Sequence, residues 1–384
     1  MKKIRILYFA SGGFYTGLAG GARLRNMINM LEPLSLDITV FSVLTGDKVS
    51  ISYRKIKDNI ETVSISLPPF FPIPLFPFTS LLILMLGLSN AVKCDIIFAQ
   101  SPTITALLPA AFLSKIFRRP LIIDHIDTKP PKVPWGLYKF ILRSAKIILV
   151  ISRNLEKEAL GLGCRNVCLF PIFVDTNMFQ SNRFNSEELR KKYGLENCIV
   201  IGFAGSFWRG EGLPYLLNAF SKLSLKYNNL KLLLIGAKNV LDSDDVPKLI
   251  DELGLRRKCV LLPQQPYDLM PEYLSLMDIA CAPKIVCKEN IAANPIKIYE
   301  YMSMGLPVVA SAIGGITNAI KSAFNGFLVK PEDVSELERA IELLIQNSEL
   351  AKEVGEKARE SVIKNYSKVV ALQKMVEILK SALH

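Results

Sequence analysis

The sequence predicts an α/β protein of two doubly wound, parallel-sheet domains, and three observations lead there. Apolar runs of strand length alternate with helical patterns along the whole chain. Twice a buried run flows into a glycine-rich turn and then a helix: residues 4–10 precede Gly12, Gly13, Gly17, Gly20 and Gly21, and residues 199–204 precede Gly205, Gly210 and Gly212. The chain has 384 residues, enough for two domains with a full core each.

Charge is unevenly placed. The net charge is +12, and residues 1–180 hold 21 Lys+Arg against 11 Asp+Glu, while the remainder holds 26 against 24. A basic half beside a near-neutral half points to an anionic partner for the first half. Aromatic-rich basic runs and zinc-finger or RNA-motif spacings are missing, so no nucleic acid is expected. An anionic membrane surface or a lipid phosphate fits better. Seven Cys lie mostly in apolar, strand-like runs and their number is odd, which suits a reducing compartment without a disulfide framework. With His only at 125 and 384, and no carboxylate cluster at ligand spacing, neither a metal nor another cofactor is expected.

The opening MKKIRILYFASGG has an apolar run too short for a signal peptide and reads as a first strand, which makes a cytoplasmic location the expectation. A helix from about residue 22 to 31 follows. The glycines before it do not fall as G-x-G-x-x-G, and no acid stands at the ribose-reading place, so a dinucleotide fingerprint is unsupported. Strands are expected at 37–43 and 61–67. Residues 62–92 carry no charge, but Pro68, Pro69, Pro72, Pro74 and Pro77 break the first half and leave an apolar helix over 78–88. Eleven residues rise about 16 Å, roughly half a bilayer core, so this helix does not span. It is either a buried helix of the first sheet or a patch dipping into a membrane interface. Phe70, Phe71, Phe76 and Phe78 beside a basic domain keep the second reading open.

A strand over 95–99 and an apolar helix to about 117 lead to a strand at 121–123, which runs into Asp124, His125, Ile126 and Asp127. His125 stands at the C-terminal tip of a parallel strand, where open α/β sheets collect ligands, although a lone His is more often structural. Lys129 and Lys132, in a Pro-rich loop with Trp135, face an acceptor phosphate or are simply solvated. A polar stretch over 180–196 links the domains, and the second strand–glycine turn–helix unit follows it. Helical patterns over 333–347, 349–364 and 367–382 close the chain.

The most informative stretch is NPIKIYEYMSMGLPVVASAIGG, residues 294–315. Asn294 is a plausible N-cap, Pro295 opens a short helix, Gly305 ends it, and Pro307 precedes an apolar strand. A loop ending in a helix N-terminus turns backbone N–H groups and the helix dipole toward whatever lies before it, which suits a diphosphate. Glu300, a turn deeper, suits the two hydroxyls of a ribose.

This stretch resembles the donor-binding signature of retaining glycosyltransferases of family 4 (glycosyl transferases group 1). Pro295, Lys297, Glu300, Tyr301 and Met302 match, as do Pro171, Val174, Asp175 and Phe179 in the linker. The resemblance implies the GT-B fold: two facing Rossmann-like domains with an interdomain cleft, an acceptor-binding domain over 1–178 joined by the helix at 367–384, and a nucleotide-sugar domain over 179–366. It implies transfer of a sugar from a nucleotide-diphosphate sugar to a lipid-linked or glycan acceptor with retained configuration, at a cytoplasmic or peripheral membrane location. Donor contacts would come from Gly20, Gly21, Gly205, Ser206, Arg209, Pro263, Asn294, Pro295, Ile296, Lys297 and Glu300. His125 would face the transferred sugar as the catalytic residue, and Arg23, Asp127, Lys129 and Lys132 would serve the acceptor. Three places depart from the family pattern. Ala292 replaces the first of its two acids, Ile172-Phe173 replaces Asn-Gly, and Glu211 stands where relatives carry a phosphate-binding cation. Glu211 is therefore expected to point away from the donor. A non-catalytic nucleotide-sugar-binding relative and a membrane-surface binding protein remain the alternatives.

Overall fold

The computed structural model describes residues 3–10, 19–45, 48, 50–67, 76–127, 129–130, 133–170, 172–236 and 245–384. Gly12, Gly13, Gly17, Phe70, Phe71 and Lys132 lie outside these, as do Pro68, Pro69, Pro72 and Pro74. The chain divides into two compact units, residues 1–171 with 369–384, and 172–368.

The first unit opens with β1 (Arg5–Ala10), α1 (Ala19–Leu31), β2 (Asp37–Thr45), β3 (Ser50–Lys57) and β4 (Ile60–Leu67). It continues through α2 (Phe76–Lys93), β5 (Ile96–Gln100), α3 (Ile104–Phe117), β6 (Leu121–His125), α4 (Trp135–Ser144), β7 (Ile147–Val150), α5 (Arg153–Gly161) and β8 (Val167–Leu169). The sheet order is β3-β4-β2-β1-β5-β6-β7-β8, parallel except for β3. Five of the six β1 residues and all of β5, β6 and β7 are buried, as strands covered on both faces must be. Chain order reverses between β1 and β5, the switch point where such sheets bind ligands. β3 was not anticipated: SISYRKIK is polar and mostly exposed, and only pairing with β4 makes it a strand.

Two expectations need correction here. Gly20 and Gly21 lie inside α1, which begins at Ala19, and not in the turn before it. The apolar helix runs from Phe76 to Lys93, well beyond 78–88. Its Pro77 falls in the first turn, where no N–H is lost, and Lys93 in the last turn suits the helix dipole. Ile83 and Ala91 are buried, whereas Leu81, Met85, Leu88 and Val92 are exposed, so the helix packs one face into the first unit and turns the other outward.

The second unit holds α6 (Glu187–Lys192), β9 (Ile199–Ala204), α7 (Leu213–Lys226), β10 (Leu230–Ile235), α8 (Val246–Glu252), β11 (Cys259–Leu262), α9 (Met270–Leu274) and β12 (Ile279–Ala282). After these come α10 (Lys288–Ala292), α11 (Ile296–Ser303), β13 (Val308–Ser311), α12 (Ile316–Ala319), β14 (Phe327–Val329), α13 (Val334–Gln346) and α14 (Ser348–Tyr366). Its six parallel strands run β11-β10-β9-β12-β13-β14. Phe203, Phe220, Leu216, Leu232 and Ile341 belong to the core on one side of this sheet. The switch point lies between β9 and β12. The last helix, α15 (Lys368–Leu383), passes into the first unit, where Lys146 Nζ donates to Ala382 O at 3.0 Å and Lys374 Nζ to Leu169 O at 2.5 Å.

Candidate functional site

The signature residues converge at the C-terminal ends of β9 and β12, on the switch point of the second sheet. α11 is N-capped by Pro295, not Asn294. Asn294 instead accepts a 2.9 Å hydrogen bond from Tyr299 Oη, because it is buried and needs a partner inside. Ile296 and Lys297 therefore form the first turn, whose N–H groups have no partner within the helix. Tyr301 ties α11 to the sheet: its hydroxyl accepts from Ala204 N at 2.8 Å and donates to Ala204 O at 3.1 Å. That contact fixes the end of β9 against the helix that carries Lys297 and Glu300.

Lys297 is only 13% exposed and turns back over the Phe203 ring, 4.3 Å from its centroid. Its ammonium occupies the space that a side chain at residue 205 would need: a Cβ on Gly205 would lie 2.3 Å from Nζ. Gly205, with φ +154, is therefore required both by its backbone and by this close approach. Gly212, with φ +70, lies against Pro283 O, which a Cβ would meet at 2.0 Å.

The expectation that Glu211 points away is overturned. Its carboxylate is 9% exposed and lies between two lysines, with Oε2 2.9 Å from Lys297 Nζ and Oε1 3.0 Å from Lys284 Nζ. Burial pushes the Glu211 carboxyl up, but the two ammonium groups outweigh it and hold the carboxyl below its ordinary value. Burial draws Lys297 below the ordinary lysine value, partly offset by Glu211. Once desolvated, a carboxylate here is stable only if it faces the lysines.

Glu300 is buried and accepts a hydrogen bond from Tyr267 Oη at 2.8 Å. Tyr267 follows the loop of Pro263, an exposed residue whose carbonyl accepts from Gln265 Nε2 at 2.8 Å. Ser206 and Arg209 are exposed, on the turn after β9. Glu289 is exposed on α10, while Ala292 is buried. Lys284, Asn290 and Tyr267 were missed from the sequence. Lys284 had a signal, since it stands two residues beyond an apolar parallel strand, the same position logic that drew attention to His125.

In the first unit, His125 ends β6 and is fully buried. Its Nδ1 lies 2.9 Å from Ser101 Oγ and 3.4 Å from Tyr138 Oη, and its Nε2 has no hydrogen-bond partner among the described residues. Burial pushes its pKa down to about 4, so the ring is neutral near pH 7. Arg23 is paired within the first unit. It is buried, with Nε 3.1 Å from Asp124 Oδ2 and Nη2 2.9 Å from Asp124 Oδ1, a fork that holds α1 to β6. Asp127 is exposed, and Lys129 Nζ donates to Pro130 O and Val133 O at 2.9 and 2.7 Å while lying 5.0 Å from the Trp135 ring. A hollow of about 430 Å³ beside Asp37, Tyr53, Arg54 and Glu61 lies at the N-terminal ends of β2 and β4, the wrong end of a parallel sheet for ligand binding.

Comparison with known proteins matches the second unit and the fold. The family described as glycosyl transferases group 1 matches residues 185–361. The chain is similar to alpha-D-kanosaminyltransferase of Streptomyces kanamyceticus, 26% identical over 47% of this chain and 45% of that protein. It is also similar to N-acetyl-alpha-D-glucosaminyl L-malate synthase of Bacillus anthracis, 24% identical over 60% and 58% respectively. The chain thus spans about half the length of these curated relatives. The crystal structure of Anabaena Alr3699/HepE in complex with UDP superposes with a TM-score of 0.76 at 20% identity, over 98% of this chain and 100% of that one. The chain has the GT-B fold, and its residues 185–361 match the glycosyl transferases group 1 family.

Proposed function

We propose that this protein transfers a sugar from a nucleotide-diphosphate sugar to a lipid-linked or glycan acceptor, with retention of configuration. The observation that carries the reading is the pairing of Lys297 and Glu300 on one helix at the switch point of the second sheet, with Lys297 Nζ pressed against Gly205. HepE, of the same fold, holds UDP, and the curated relative from Streptomyces kanamyceticus is a kanosaminyltransferase by name.

In this reading Glu300 exchanges the Tyr267 hydroxyl for ribose hydroxyls, and the first turn of α11 with Lys297 and Arg209 faces the diphosphate. The anomeric C–O bond to the diphosphate breaks while the acceptor oxygen bonds to the same face. The acceptor proton passes to the departing phosphate oxygen. Charge growing on the leaving group is met by lysine and backbone N–H groups, and no metal or other cofactor is required. His125 acts as a neutral hydrogen-bonding group toward the sugar. Its lowered pKa suits it to that role and not to carrying a positive charge.

The acceptor reading includes peripheral attachment to an anionic membrane from the cytoplasmic side. Leu81, Met85, Leu88 and Val92 recur at helical spacing along the exposed face of α2, and Phe112 and Ile116 are exposed on α3, which packs against it. Lys93, Lys115, Arg118 and Arg119 lie at the ends of these two helices. Among the described residues no helix is long and apolar enough to cross a membrane.

The decisive experiment incubates the protein with UDP-, GDP- and ADP-sugars and lipid-phosphate or oligosaccharide acceptors, with and without EDTA. Glycosylated product of unchanged anomeric configuration, formed equally with EDTA, is expected. Nucleotide binding without turnover across the panel would favour a non-catalytic relative, a reading to which Ala292 and the Lys297–Glu211 pair lend weight.

A further inference from the structure

The buried cluster of Lys297, Glu211 and Lys284 holds two cations and one anion. Their side chains are 13%, 9% and 6% exposed. Asn290 braces the cluster: its Oδ1 accepts from Lys284 Nζ at 3.1 Å, while its Nδ2 donates to Gly210 O at 2.7 Å and Ile285 O at 3.0 Å. One amide thus joins the loop after β12 to the turn that carries Glu211. Lys284 has Glu211 and Asn290 as acceptors and lies 5.8 Å from the Trp208 ring. Lys297, by contrast, has Glu211 as its one hydrogen-bond acceptor among the described residues, which leaves two of its three donors for a ligand.

Without Lys284, Glu211 would neutralise Lys297, and the cluster would offer an anion nothing. With Lys284 present, the lysine–glutamate–lysine cluster carries one positive charge beside Gly205 and the first turn of α11, and Glu300, the next acid along that helix, also acts on Lys297. A cluster with one more lysine than carboxylate at a helix N-terminus is suited to completion by an anion. The geometry points to Lys284 as a positioning residue for diphosphate binding. It balances Glu211, so that Lys297 keeps its charge toward the phosphates. This rests on the proposed nucleotide-sugar reading of the second unit.

The test uses the full chain with UDP and inorganic pyrophosphate as probes, measured by calorimetry, with unfolding curves taken on each variant. Lys284→Gln, which keeps hydrogen-bonding capacity but leaves the cluster neutral, is expected to weaken UDP binding about tenfold or more. Glu211→Gln combined with Lys284→Gln returns the cluster to one positive charge and is expected to recover affinity to within about threefold of the parent. Lys284→Arg, which keeps the charge, is expected to hold it. A folded Lys284→Gln protein that binds UDP like the parent overturns the inference, and so does a double variant no better than the single one. If Lys284→Gln does not fold, the arginine and double variants still decide. A parent protein that binds no nucleoside diphosphate at all overturns the nucleotide reading itself, a result distinct from an insensitive Lys284.

Discussion

The Tyr267 hydroxyl donates to Glu300 Oε1 at 2.8 Å, joining the loop after β11 to the signature helix inside the second unit. A hydrogen bond to a charged group contributes about 1.5–3 kcal/mol. Glu300→Gln is therefore expected to weaken UDP binding by about tenfold to a hundredfold. Tyr267→Phe, which removes this donor from the carboxylate, is expected to leave UDP affinity equal or higher. Isothermal titration of both variants checks the pair. Unchanged affinity in Glu300→Gln would remove this residue from the site.

Gly212→Ala is expected to destabilise the second unit more than Gly205→Ala. At 212 the added Cβ meets the Pro283 carbonyl oxygen at 2.0 Å and the left-handed φ penalises it further, and backbone cannot swing away. At 205 the nearest atom is the end of the Lys297 side chain, which can move at the expense of its position beside the phosphates. The expected losses are about 2–4 kcal/mol at 212 and about 1–2 kcal/mol at 205, the latter with a larger loss of UDP affinity. Urea unfolding and calorimetry separate the two effects.

His125 couples stability to pH. Its folded pKa is pushed to about 4 from 6.5 by burial, so between those values the unfolded chain takes up a proton that the folded chain refuses. The contribution is whole above pH 6.5 and is lost as pH falls toward 4, reaching about 3 kcal/mol at its full extent. The parent protein is expected to lose more stability between pH 7 and 4.5 than His125→Gln does. Parallel pH dependences in thermal unfolding would show that the ring does not titrate in this way.

The exposed stripe on α2 is expected to carry membrane binding. Replacing Leu81 and Met85 together by Asp should abolish pelleting with vesicles containing phosphatidylglycerol and leave nucleotide affinity unchanged. Raising salt should weaken the parent's binding, since the flanking lysines and arginines act through screened charge. Equal pelleting of parent and variant would move the membrane contact elsewhere on the first unit.

How much of this was legible beforehand depended on distance along the chain. The two sheets, the glycine turn between β9 and α7, and the helix of Lys297 and Glu300 were all readable from local pattern. β3 was not, because the alternation of Ile51 and Tyr53 breaks off at Arg54 and Lys55 and the segment becomes a strand only through its neighbour. The true length of α2 was hidden because the apolar run stops at Leu88 while Ser89, Asn90 and Lys93 continue the helix, and Pro77 falls harmlessly in its first turn.

Sequence alone determined that a helix tip, a lysine and a glutamate come together near residue 297, since all three lie within one turn and a half of backbone. It could not determine the sense of Glu211, which looked like an anion in a cation's place. Lys284 is 73 residues away in the chain yet 3.0 Å away in space, and only the parallel pairing of β9 with β12 brings their C-terminal ends side by side. Burial then decides the chemistry: once solvent is excluded, that carboxylate must find its charge partners within the fold, and both partners are lysines.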